Sequence, residues 1–140
     1  RPRHRADDLG RHRKAPRLTM LRGANLLLRF LLELGGLLAA GYSGFTVVPG
    51  PILNWLVGIG LPLIMAAAWG IYRIPNDGGA PVITVGGQVR LALEAVFFAV
   101  AIGGLFVARC PDWALTLLVL VLVNYGIDHR RTLDLLLGRR

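Results

Sequence analysis

The sequence predicts an all-α polytopic membrane protein, with four transmembrane helices in an up-down-up-down bundle and both termini in the cytoplasm. Three observations lead to this fold class: four long apolar stretches, short connections, and an uneven distribution of basic residues. The stretches cover residues 26–45, 52–72, 89–108 and 113–127 of the 140, and a helix needs about 20 residues to cross about 30 Å of hydrocarbon. Because these stretches are apolar around the whole circumference and hydrophobic residues make up 54% of the chain, a water-soluble four-helix core is disfavoured.

The connections between the stretches are short, which forces neighbouring helices to run antiparallel. The longest, residues 74–88, contains the turn residues of PNDGGAP. The strand-like run that follows these turn residues has no partner strand in the sequence, so we expect a linker or an interfacial strip there. We therefore predict a transmembrane domain over residues 23–128. A basic, disordered cytoplasmic tail over residues 1–22 precedes it, and a basic cytoplasmic extension over residues 129–140 follows it.

The basic residues indicate how the helices are oriented. Of the 16 Lys and Arg residues, all but Arg109 lie before or early in the first stretch, around the 72–88 connection, or after the fourth stretch. This is the positive-inside pattern of a bacterial-type inner membrane, with both termini inside. Aromatic residues at the predicted helix ends agree with this orientation. The outer ends carry Tyr42, Trp55 and Trp113, and the inner ends carry Trp69, Tyr72 and Tyr125.

A net charge of +8 also occurs in nucleic-acid-binding proteins, but its distribution favours a membrane and no nucleic-acid partner is expected. Anionic lipids at the cytoplasmic face are the expected partners of four residues of the tail: Arg11, Arg13, Lys14 and Arg17. A basic start before an apolar run is also typical of a secretory signal. Because Arg29 and Glu33 interrupt that run and three further stretches follow, we expect the first helix to be retained.

Two charged pairs lie inside the predicted spans. Arg29 and Glu33 are four residues apart in the first span, and Arg90 and Glu94 are four apart in the third, so each pair shares one helix face. A charged group at mid-bilayer costs about 2.5–3.5 kcal/mol on insertion scales, so the pairs require a role. Either they neutralise one another and hold the first span against the third, or Glu33 or Glu94 is a proton- or cation-linked carboxylate; a neighbouring Arg opposes proton shuttling.

Two further features concern helix shape and packing. Pro62 lies near the centre of the second span and cannot donate to the carbonyl of Gly58, so we expect a kink there. Small residues recur at four-residue spacing in the first and third spans and predict close helix contacts, within the chain or between copies. They are Gly36, Ala40 and Gly44 in the first span, and Ala95, Ala99 and Gly103 in the third.

The sequence carries no recognisable catalytic, metal or cofactor motif. Cys110 is the single cysteine, and all His residues lie outside the spans, so neither a cysteine metal site nor a membrane haem with axial histidines is expected. We therefore predict no enzyme activity, no catalytic residue, no metal and no cofactor.

Three segments together resemble a known family: LLLRFLLELGGLLAAGYSGF, GLPLIMAAAWGIY and VRLALEAVFFAVAIGGL. The chain resembles the YrdB-like family of small four-helix membrane proteins, whose function is uncharacterised, over about residues 25–125. The resemblance implies the four-span fold and supplies no activity. Any functional residues that it implies are the motif residues Arg29, Glu33, Trp69, Arg90 and Glu94.

Three functions stay open. We expect an accessory or interaction subunit of a membrane complex, bound to another membrane protein or to a second copy, with the charged pairs holding its architecture. The alternative is a small oligomeric ion-coupled transporter that uses Glu33 and Glu94. A third is a quinone- or lipid-binding membrane subunit, since such sites need no sequence signature.

Overall fold

The computed structural model consists of helices together with one very short strand pair. It describes the backbone of residues 4–73, 83–129, 132–133 and 137, with side chains from residue 23 onward in these ranges, apart from residues 73 and 84. Within them the helices are α1 (His4–Val47), α2 (Pro51–Ile71), α3 (Gly87–Val107) and α4 (Pro111–Ile127). The predicted all-helical, four-helix architecture is confirmed for this part of the chain.

Within the described residues, three helices are long and apolar enough to cross a membrane: Gly23–Val47 within α1, then α2 and α3. The fourth, α4, is equally apolar but has 17 residues, about 25 Å at 1.5 Å per residue. It is therefore somewhat shorter than about 30 Å of hydrocarbon. The orientation of the helices in a membrane stays a prediction.

The N-terminal segment differs from the expectation for it. The helix α1 begins at His4, so residues 4–22 are helical where the sequence predicted a disordered tail. Arg, Lys, Leu and Ala are good helix formers, and a helix that already exists from Gly23 onward removes the nucleation cost for the residues before it. The chain divides into two compact units, Arg1–Leu31 and Leu32–Arg140.

The connection between α2 and α3 has a strand pair that the sequence did not predict. The two-residue strand β1 (Tyr72–Arg73) pairs in parallel with β2 (Ile83–Thr84), with Tyr72 opposite Ile83. The strand-like run at residues 82–85 does therefore have a partner, at the end of α2. This pairing holds the end of α2 near the start of α3.

Close helix contacts in the second unit are built on small residues. A Cβ atom added to Gly44 of α1 would lie 2.7 Å from the Cα of Gly58 in α2, and one added to Gly36 would lie 2.6 Å from the ring of Phe97 in α3. Both separations are shorter than real carbon contacts, so a larger residue at either position would force its neighbour to move. The bundle core is formed by α3 with its neighbours, where Ala101 and Ala114 are completely buried.

Candidate functional site

A buried ion pair lies in the first turns of α3. The Nε atom of Arg90 is 3.5 Å from Oε1 of Glu94, and the two side chains are 2% and 4% exposed. Their four-residue spacing brings the groups to one face of the helix, and that face is directed into the bundle. Such burial is unusual for charged residues unless each is paired.

Arg90 also binds the C-terminal end of α2. Its Nη1 atom donates to the carbonyl oxygen of Tyr72 at 2.6 Å and to that of Trp69 at 3.3 Å. The last carbonyls of a helix have no partner within the helix and carry the negative end of its dipole. The guanidinium of Arg90 therefore caps α2 from a different helix, although 18 residues separate Arg90 from Tyr72.

The ring of Trp69 covers the same guanidinium. The Cζ atom of Arg90 lies 3.8 Å from the ring centroid, within the range of a cation–π interaction. Trp69 then packs on Phe97 with ring centroids 5.1 Å apart. The aromatic cover removes Arg90 from solvent and also fixes the direction in which its planar group points.

Glu94 connects the pair to α4. Its Oε2 atom accepts a hydrogen bond of 3.1 Å from the hydroxyl of Tyr125, while its Oε1 atom faces Arg90. Both carboxylate oxygens are thus engaged, one by a cation and one by a neutral donor. The result is one polar network that joins α2, α3 and α4 at the end where α3 begins and α2 and α4 finish.

The equivalent pair of the first helix is in a different environment. Arg29 and Glu33 are each half-buried, in contrast to the nearly complete burial of Arg90 and Glu94. Arg29 belongs to the first compact unit and Glu33 to the second. The two motifs are therefore alike in sequence and unlike in their degree of burial.

The carbonyl that Pro62 leaves without its helical donor is covered by a neighbouring helix. A Cβ atom built on Gly41 of α1 would lie 3.1 Å from the carbonyl oxygen of Gly58 and 3.5 Å from Cγ of Pro62. Gly58 is also buried. The contact favours tight packing at this point over a polar cavity, and the kink itself stays a prediction.

The small residues expected to mediate packing divide into two groups. Gly36, Ala40 and Gly44 of α1 are buried. In α3, however, Ala95, Ala99 and Gly103 are exposed, and a Cβ atom built on Gly103 meets nothing within 4 Å. The packed face of α3 is the neighbouring one, which contains Arg90, Glu94, Phe97, Phe98, Ala101 and Leu105.

Sequence reasoning found the charged pair and missed most of its partners. The resemblance included Trp69, but Tyr125 and Tyr72 were predicted only as interfacial aromatic residues. The sequence offered one signal for Tyr125: a buried carboxylate such as Glu94 needs hydrogen-bond donors, and Tyr125 lies near the end of α4. The predicted lipid-contact residues Arg11, Arg13, Lys14 and Arg17 lie outside the described side chains, and most of the predicted extension 129–140 lies outside the described residues.

Among the described residues, no group of three or more His, Cys, Asp or Glu side chains is placed to hold a metal ion. The thiol of Cys110 lies at the opposite end of the bundle, 3.6 Å from the hydroxyl of Tyr42. The described contacts of Arg90 and Glu94 supply charge neutralisation and helix capping.

Comparison with known proteins identifies the family. Residues 27–122 match the family described as protein of unknown function, DUF2568. The chain belongs to this family. It is also 30% identical over 114 residues to the uncharacterized protein YrdB of Bacillus subtilis (strain 168), which covers 79% of this chain and 92% of that protein.

No solved structure matches the chain. The matched segment begins at Leu27 and ends at Leu122, so it contains both charged pairs. Tyr125 lies just beyond it. The resemblance predicted from the motifs is confirmed, and family membership adds no activity to it.

Proposed function

We propose that the protein is a non-enzymatic membrane-spanning protein that acts as an accessory or interaction subunit of a membrane complex. The observation that supports this most is the state of Glu94, which is buried and has both oxygens engaged, by Arg90 and by Tyr125. Its contacts stabilise the helices against one another. A carboxylate that exchanges protons or cations during transport instead needs access to water.

The large apolar surface favours lipid or other membrane helices as neighbours. Only Gly58 and Met65 of α2 are buried within the chain, and Leu63 and Ile64 are 62% and 68% exposed. Such a surface is expected in a bilayer and leaves room for a partner helix. We further propose the bacterial-type inner membrane with both termini inside, from the positive-inside pattern, and contacts of the basic N-terminal residues with anionic lipids.

Substitution of the carboxylates tests the proposal against ion-coupled transport. Glu94→Gln removes the charge and keeps the shape, and Glu33→Gln does the same on α1. Asp112→Asn is the matched control, because Asp112 is an exposed acid in the first turn of α4. We expect Glu94→Gln to lower thermal stability and the yield of the native-size assembly on native gels, with little effect from Asp112→Asn.

The same purified variants are then reconstituted into liposomes that contain a pH-sensitive dye. The unaltered protein is expected to give no ion-driven pH change above protein-free liposomes. If the unaltered protein does give a flux, and Glu33→Gln or Glu94→Gln abolishes it while the assembly stays intact, the protein is a transporter and the accessory role is wrong. Orientation is tested separately: reporter tags after residue 48 and after residue 78 should lie in opposite compartments.

A further inference from the structure

We propose that the part of the chain from Leu32 onward consists of two equivalent helical hairpins, α1–α2 and α3–α4, which dock on each other about an internal two-fold axis parallel to the helices. The docking surface is a seam between α1 and α3. On α1 it contains Gly36, Ala40 and Ser43, and on α3 it contains Phe97, Ala101 and Gly104.

The contacts across the seam have one constant register. Gly36 meets Phe97, and Ser43 meets Gly104, so each residue contacts the one that follows it by 61 positions. Because both residue numbers increase together, the two helices run parallel. Between these contacts lie Ala40 and Ala101, which are separated by the same 61 positions and are 1% and 0% exposed. A residue that meets its own equivalent is the signature of a two-fold axis between the helices.

The sequence repeats with the same offset. Glu94 follows Glu33 by 61 residues, and the Arg of each R-x-x-x-E motif precedes its Glu by four. The turns agree to within one residue, because α1 and α3 end at Val47 and Val107, and α2 and α4 begin at Pro51 and Pro111. Contact register and charged motif recur after 61 residues and the turn recurs after 60, which is the pattern of an internal repeat.

Side-chain size gives the seam its specificity. The ring of Phe97 occupies the space that Gly36 leaves, since a Cβ atom on Gly36 would lie 2.6 Å from that ring. Two copies of the α3 face would bring Phe97 against Phe97, and two copies of the α1 face would leave a gap at Gly36. The α1 face therefore packs better against an α3 face than against a second α1 face. The same mismatch in size disfavours pairing of α1 with α1 and of α3 with α3.

Disulfide trapping in the full chain tests the seam. In a Cys110→Ser background, Ala40→Cys and Ala101→Cys are combined, and a protease site is inserted after residue 78, between the hairpins. The control pairs Ala40→Cys with Ala99→Cys, because Ala99 lies on the exposed face of α3. After mild oxidation in the membrane and cleavage, the seam pair should keep most of the cut chain at full size on a denaturing gel, whereas the control should fall apart.

Two results would overturn the proposal. If the seam pair falls apart like the control, α1 and α3 do not meet at this register. If it migrates as a linked dimer before cleavage, the surface joins two copies instead of two hairpins of one chain. The size fit is tested by adding Gly36→Phe, Phe97→Gly, or both: each single change should reduce trapping of the seam pair, and the double change should restore it. A double variant that traps no better than the singles would contradict the fit.

Discussion

Removal of the guanidinium of Arg90 is expected to destabilise the fold strongly. The variant Arg90→Met keeps the length of the side chain but leaves Glu94 buried and charged beside an apolar neighbour. It also removes the donor to the carbonyls of Trp69 and Tyr72, at 3.3 and 2.6 Å. Loss of one partner of a buried ion pair costs about 3–5 kcal/mol, so the free energy of unfolding should fall by about this amount.

The double variant Arg90→Met, Glu94→Leu separates the stranded charge from the lost contacts. It has no uncompensated charge. Its remaining cost is the loss of the Glu94 acceptor by the hydroxyl of Tyr125, about 1–3 kcal/mol, together with the lost cap of α2, about 0.3–1 kcal/mol. The double variant should therefore be more stable than Arg90→Met alone. Unfolding in mixed micelles, followed by tryptophan fluorescence, measures the free energy of unfolding of both variants. Arg109 is exposed, so the control Arg109→Met should lie within about 0.5 kcal/mol of the unaltered protein. A double variant no more stable than the single one would refute this account of the pair.

Three further substitutions follow from single contacts, each measured by the same unfolding assay. Tyr125→Phe should cost about 0.6–1.7 kcal/mol, the range for side-chain hydrogen bonds in membrane proteins, and an unchanged stability would show that its hydroxyl does not support the carboxylate. Gly44→Ala should lower the free energy of unfolding by about 1–3 kcal/mol, because the new Cβ would lie 2.7 Å from the backbone of α2. In the control Gly103→Ala the new Cβ enters open space, so the stability should stay unchanged or rise by up to about 1 kcal/mol. Arg109 has a φ of 59°, a conformation that favours glycine, so Arg109→Gly should raise the free energy of unfolding by about 0.5–1 kcal/mol. Ala108 has a φ of −72°, so Ala108→Gly should lower it by about as much. If both variants changed the stability in the same direction, backbone strain at Arg109 would be contradicted.

The strain at Arg109 comes from how α3 ends. The amide of Cys110 donates to the carbonyl of Leu105, and that of Arg109 donates to the carbonyl of Phe106, which is the Schellman arrangement of a helix end. Glycine is the usual residue at the left-handed position of this motif. Because Arg109 occupies that position instead of glycine, the sequence does not indicate the motif. Only a short connection was predicted there.

Helix positions were well predictable because hydropathy reports them directly. The predicted spans 52–72 and 89–108 lie within two residues of α2 and α3, since a long apolar run has one stable form in lipid. The strand pair at Tyr72–Arg73 and Ile83–Thr84 was not predictable in this way. Two residues are too few for a period-two pattern to be recognised.

The inward face of α3 was also open to prediction, but from its charges rather than its small residues. Arg90, Glu94, Phe97 and Ala101 follow at spacings of four, three and four, and all four are buried. Charged groups must leave the lipid, so they decide which face turns inward. Small residues such as Ala95 are tolerated on either side, and their periodicity alone does not select one.

The position of the charges along the helices bears on the choice between scaffold and transporter. On the face of α3 that carries Glu94, the next residues toward the opposite end are Phe97, Ala101 and Leu105, all apolar and buried. Beyond the charged end, this face offers no polar group to an ion that must cross. A pathway between copies would instead need a carboxylate on the outer surface, whereas the side chain of Glu94 is 4% exposed and bound within its own chain. We therefore propose that the pair stabilises the architecture, and we expect substitution of Glu94 to change stability before it changes any flux.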